Sequence, residues 1–108
     1  MTDFSVVLTT VNSEEEARKL AQKLVETRLA ACVNIIPDVV SVYNWKDKLQ
    51  QDKEWLLLIK TRSDLTARIG EIFRRNHPYD LPELVEIKIE HGSAAYLSWL
   101  GEWLIQDG

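Results

Sequence analysis

Residues 30–61 read AACVNIIPDVVSVYNWKDKLQQDKEWLLLIKT, and the way this stretch pairs decides the fold. It has little helical periodicity. Val39, Val40, Val42, Tyr43 and Trp45 are β-branched or aromatic, and so favour strand; residues 55–59 do the same. Between them, Asp47-Lys48 to Gln51-Asp52 is a polar turn region. The stretch therefore predicts a hairpin with arms longer than the usual five or six residues. Pro37 cannot donate a ladder hydrogen bond, so it predicts a bend or bulge in an edge strand. Trp55-Leu56-Leu57-Leu58-Ile59 is apolar on both faces, as a central strand requires.

Upstream, Phe4, Val6 and Leu8 alternate with Ser5, Val7 and Thr9, which predicts another central strand. Ser13 and Glu16 have capping-box spacing, with each side chain able to satisfy a free backbone N–H at a helix start. Ala17, Leu20, Ala21, Leu24 and Val25 then form one apolar face, so the first helix runs over about residues 14–28. Downstream, Ser63 or Asp64 can cap a second helix. Leu65, Ile69, Ile72 and Phe73 form its buried face, and Asn76 before His77-Pro78 ends it. In LVEIKIE (84–90), Val85, Ile87 and Ile89 are expected to point inward and Glu86, Lys88 and Glu90 outward. Gly92-Ser93 begins a third helix. The order βαββαβ plus a C-terminal helix is the α+β, ferredoxin-like arrangement, with strands 1 and 3 central. No linker or repeat interrupts residues 1–108, so one domain is expected.

Composition narrows the function. Thirteen basic and seventeen acidic residues give a net charge of −4. Neither a nucleic-acid backbone nor an anionic membrane would attract such a surface. No apolar run is long enough to span a bilayer. Met1-Thr2-Asp3-Phe4 leads directly into strand-like sequence, so a cytoplasmic protein is expected. The single cysteine, Cys32, leaves no internal disulfide framework and no CxxC motif. Buried cysteine is usually a small hydrophobe. Two features point to a homo-oligomer. The third helix carries Tyr96, Leu97, Trp99, Leu100, Trp103 and Leu104, more than one core-facing stripe. The hairpin outruns its neighbours, leaving an apolar edge that needs cover.

Catalytic machinery is missing from the sequence. There is no GxSxG elbow, Walker loop or GxGxxG, and TTVNSEE after strand 1 has neither glycine nor arginine. No catalytic residue, enzymatic activity or organic cofactor is expected. The four tryptophans have Glu54 and Glu102 among them rather than basic residues, which disfavours a stacking platform for bases. NHPYDLPEL (76–84) is the one stretch dense in possible ligands. His77 could bind a divalent metal with help from Asn76, Asp80 or Glu83. The competing reading is a connector stiffened by Pro78 and Pro82, and a lone histidine without repeated ligand spacing favours that reading. His91 in EHG reads as a turn residue.

LAACVNIIP (29–37), SVYNWKDKLQQDKEWLLLIKT (41–61), HPYDLPEL (77–84) and YLSWL (96–100) together resemble the CutA family of divalent-cation tolerance proteins. The resemblance implies a homotrimer, similar in architecture to PII signalling proteins, that covers the hairpin and the third helix. It also implies a response to metal ions, with copper(II) as the metal bound. In copper-binding members a cysteine ends strand 1 and two adjacent histidines precede the PY of the motif. Thr9 and Asn76 occupy two of those positions here, and His77 alone keeps a ligand. HPYDLPEL then reads as a stiff connector that also lines a cleft between subunits, where Trp45, Lys60, Tyr79 and Glu83 are expected to converge, either to bind a small anion or a metal or to satisfy one another. The alternative function is a PII-like signalling or scaffold trimer binding a small molecule or protein there.

Overall fold

The computed structural model describes residues 2–106. The elements run β1 (Phe4–Val11), α1 (Glu14–Glu26), β2 (Cys32–Trp45), β3 (Lys48–Arg62), α2 (Thr66–Asn76), β4 (Val85–Lys88) and α3 (Ala94–Trp103). The strands form one antiparallel sheet in the order β2-β3-β1-β4. The two strands read as apolar on both faces are the central ones, and the proline-containing strand lies at the edge.

Alternation along β1 buries Ser5, Val7, Thr9 and Val11 on the face covered by α1 and α2. Leu57 and Ile59 of β3 share that face. They pack with Leu20 and Leu24 of α1 and with Ile69 and Phe73 of α2 in one core. The Ser13 hydroxyl accepts from the Glu16 N–H at 3.1 Å and so starts α1. The helix ends at Glu26 with Thr27 as its C-cap, and the chain turns away through Arg28, whose φ of 62° is left-handed although it is not glycine. Its side chain helps hold the bend in place: the guanidinium donates to the carbonyls of Glu102 (3.0 Å) and Trp103 (3.3 Å) at the end of α3. The second helix starts differently from the sequence expectation. A 3-10 turn at Ser63–Leu65 leads into α2, and neither Ser63 nor Asp64 caps it with a side chain.

Pro37 does mark a bulge. The β2–β3 register shifts between Ile36 and Val39, and Asp38 has φ 60°. The turn is tighter than the polar run 47–52 suggests. Only Lys46 and Asp47 leave the ladder, at φ 52° and 65°, which is the two-residue turn that matches strand twist. Residues 48–51 remain paired to β2. Polarity misled the reading because this end of the hairpin has no core beneath it: residues 48–54 pair with β2 alone, beyond the end of β1.

The last strand is turned over relative to the expected direction. Val85 pairs with Leu8 and Ile87 with Val6, on the sheet face away from α1 and α2, where they are 47% and 52% exposed. Glu86 and Lys88 lie on the helix side. There Ser5 donates to the Glu86 carboxylate (2.6 Å) and Lys88 to the Ser63 hydroxyl (2.8 Å). α3 lies against the same sheet face as Val85 and Ile87. It is capped by Ser93, and Leu100 is buried beneath it. Tyr96, Trp99 and Trp103 remain exposed, so the helix is apolar well beyond its buried stripe.

Candidate functional site

The connector after α2 is built around His77. The His77 N–H caps the helix by donating to the Phe73 carbonyl at 2.9 Å, and Pro78 prevents continuation. The imidazole is wedged between the rings of Phe73 and Tyr79, with centroids 5.3 and 5.1 Å away. Its Nδ1 accepts from the Tyr79 N–H at 3.1 Å. The proton must then sit on Nε2, which donates to Thr9 Oγ1 at 2.9 Å. Both ring nitrogens are used. The positions that the resemblance singled out, Thr9 and His77, do come together, but as a hydroxyl–imidazole hydrogen bond. Asn76 directs its amide back to the Ile72 carbonyl.

Burial lowers the His77 pKa, outweighing the opposing pull of the Thr10 backbone and the Glu16 and Glu54 carboxylates. The unfolded chain protonates this group near pH 6.5. The folded chain does so only at lower pH, so between the two values the unfolded state binds more protons. Stability contributed here is complete above about pH 6.5 and is lost as pH falls toward the folded value. Thermal melts are expected to show a decline from about pH 7 to 5 that is shallower in His77→Gln; parallel profiles would contradict the assignment.

Beyond Tyr79 the connector forms one wall of a groove of about 940 Å³. The projecting hairpin forms the other. Trp45, Tyr79, Asp80 and Glu83 line it together. Lys60 does not line it. Its Nζ is 3.4 Å from the Tyr96 hydroxyl and 5.7 Å from that ring's centroid, beneath α3. Within one chain, then, the Lys60–Glu83 charge pair does not form. Sequence reading missed the groove's other polar members. Tyr43 donates to Asp52 at 2.5 Å, and Tyr79 donates to Glu54. Burial and the Glu54 carboxylate raise the Tyr79 pKa far above its usual value, and the Asp52 bond raises that of Tyr43. The available signal was Glu54 itself, an acid at the threshold of an apolar strand. Cys32 is a half-buried free thiol opposite Lys60, and His91 is exposed; neither lines the groove.

The sheet order, the overshooting hairpin and the groove at its base define a ferredoxin-like α+β domain with a polar cleft. Residues 5–103 match the CutA1 divalent ion tolerance protein family. The chain belongs to that family. It is 48% identical to the divalent-cation tolerance protein CutA of Thermus thermophilus over 90% of this chain and 94% of that one. It is also 48% identical to the chloroplastic protein CutA of Arabidopsis thaliana, covering 88% of this chain but only 52% of the longer plant protein. The crystal structure of CutA1 from Oryza sativa superimposes with a TM-score of 0.93 at 41% identity, covering 96% of this chain and 95% of that one. These relatives are named as tolerance proteins or simply as CutA, not as enzymes.

A divalent metal resident on His77 does not fit this arrangement. A metal at Nε2 would need the proton moved to Nδ1, where it would face the Tyr79 N–H. Among the described residues, no three His, Cys, Asp or Glu side chains are grouped to hold an ion. No helix is long and apolar enough to cross a membrane among the described residues.

Proposed function

We propose that the protein serves divalent-ion tolerance as a non-enzymatic homotrimer, a single domain per subunit, that binds its ligand in the groove between hairpin and connector. Glu54 at the groove carries this reading: the residue is 6% exposed, and among the described residues its side chain's hydrogen-bonding partner is the neutral phenol of Tyr79. Such a group is costly to bury and gains from a cationic partner. The trimer is supported by the open sheet face at Val85 and Ile87, by the exposed aromatics of α3 and by the hairpin residues that pair with β2 alone. A trimer would also bring a neighbour's residues toward each groove, which is the route by which a Lys60 could face a Glu83. A cytoplasmic setting accords with the free thiol of Cys32. The PII-like scaffold reading shares the groove and differs in the consequence of binding, which would be recruitment of a partner rather than tolerance of an ion.

Copper(II) is the metal the family resemblance would place on His77. Calorimetric titration of chelator-stripped protein with copper(II), then zinc(II), is expected to give the same weak heats for the native chain and His77→Ala. Saturable binding of one ion per chain, lost in the variant, would restore the metal-site reading. Equilibrium sedimentation of the same samples tests the trimer.

A further inference from the structure

The outer part of the hairpin is an arm with little to fix its direction. β1 stops at Val11, opposite Trp55, so residues 39–54 form a two-stranded ribbon with no third strand beside it. The ladder is interrupted at the same level: the register shifts between Ile36 and Val39, and Asp38 takes a φ of 60°. A bulge bends its strand, and a two-stranded ribbon is marginal alone and twists more than a wider sheet. The arm therefore leaves the sheet at a hinge. Its internal bonds, Tyr43 to Asp52 and Lys53 to Asp38, stiffen it without deciding where it points.

One tie crosses the hinge. Among the described residues, the bond from the Tyr79 hydroxyl to Glu54 is the one hydrogen bond or ion pair that joins residues 38–54 to the chain outside the hairpin. Glu54 lies just beyond the bulge, opposite Val39, and is buried, so water competes poorly for that bond. The other end of Tyr79 is held by His77. The Tyr79 N–H donates to Nδ1 at 3.1 Å, and the two rings lie 5.1 Å apart. Nε2 of the same imidazole donates at 2.9 Å to Thr9, which is fully buried in β1. Pro78, between His77 and Tyr79, has a fixed φ. Hydrogen bonds thus run from the centre of the sheet, through a stiff connector, to the base of the arm.

We propose that Tyr79, positioned by His77, is a strut that fixes the direction of the hairpin arm through Glu54, and so presents the arm to a second copy of the chain already in its assembled pose. The strut stands on the geometry of the single chain; its use in assembly rests on the trimer reading above. Association that must wait for a conformational change is slow, and preorganisation removes that cost.

The test is reassembly after dilution from denaturant, with folding followed by tryptophan fluorescence and association by light scattering. Tyr79→Phe deletes only the hydroxyl of the tie, and is expected to slow the concentration-dependent phase about tenfold while leaving the concentration-independent phase unchanged. His77→Ala cuts the strut at its other end and should act in the same direction. Glu54→Gln keeps an acceptor for Tyr79 and should stay within about threefold of the native rate. Equal association of the native chain and Tyr79→Phe, a loss in Glu54→Gln as large as that in Tyr79→Phe, or slowing confined to the folding phase would each overturn the inference. Sedimentation of the native chain separates the two readings. If it reports single chains, the trimer reading fails, and amide exchange over residues 39–54 reads the strut directly. Exchange about tenfold faster there in Tyr79→Phe, with residues 55–59 unchanged, upholds the strut, and equal exchange overturns it.

Discussion

Ile87→Glu is expected to turn the proposed trimer into single chains and to lower the melting temperature by roughly 10 °C or more. Ile87 is 52% exposed in the single chain and pairs with Val6 on the sheet face that α1 and α2 leave open. Neighbouring Val85, Leu8 and Leu58 continue that apolar face, since antiparallel partners point the same way. If a second chain covers it, completing the burial of a residue this size contributes on the order of 1 kcal/mol per subunit. A carboxylate in its place must instead be desolvated without a partner, which costs several kcal/mol more. The change should leave the fold of each chain intact, because Ile87 is outside the core between sheet and helices. Sedimentation should report one chain instead of three, and Lys19→Glu on the outer side of α1 should leave the mass unchanged. Unaltered mass in Ile87→Glu would show that the open face is not the interface.

Leu57→Ala is expected to cost about 2–5 kcal/mol. Leu57 is fully buried in β3, opposite Thr9 on one side and Ile35 on the other, on the face covered by α1 and α2. Truncation removes buried methyl and methylene groups from a site walled by two helices and two flanking strands, which can relax only in part. Domains of this size are stable by about 5–15 kcal/mol, so the loss is a large share of the total. Urea unfolding should show a lower midpoint with an unchanged slope. A loss below about 1 kcal/mol would mean that the cavity closes, contrary to the packing described.

Much of this architecture was readable from residue patterns. The even period of β1 and the unbroken apolar run 55–59 made both strands central. The proline at position 37 marked the bulged edge. Ser13 and Ser93 start their helices because a hydroxyl placed before an apolar-periodic segment reaches a backbone N–H that would otherwise be unpaired. The turn was misread over residues 47–52, where polar residues form strand because no core lies under the projecting arm. The site was legible in part. Trp45, Tyr79 and Glu83 do share a groove, but Lys60 lies under α3, and Glu54, Asp52 and Tyr43 gave little local sign of their role.

By itself, then, the sequence determined the elements, their order and which residues share a face, because these follow from periodicities of two and 3.6 residues and from capping and breaking side chains. It could not determine which face of β4 the helices cover. Alternation in 84–90 is equally satisfied by Val85 and Ile87 pointing either way, and only the pairing with Val6 and Leu8 settles it. Nor could it determine the state of His77. A histidine beside carboxylates looks like a ligand until the fold sets Thr9 against Nε2 and the Tyr79 N–H against Nδ1. Those partners come from β1 and from a turn. Hydrogen bonds between residues 68 positions apart exist only once the chain has folded.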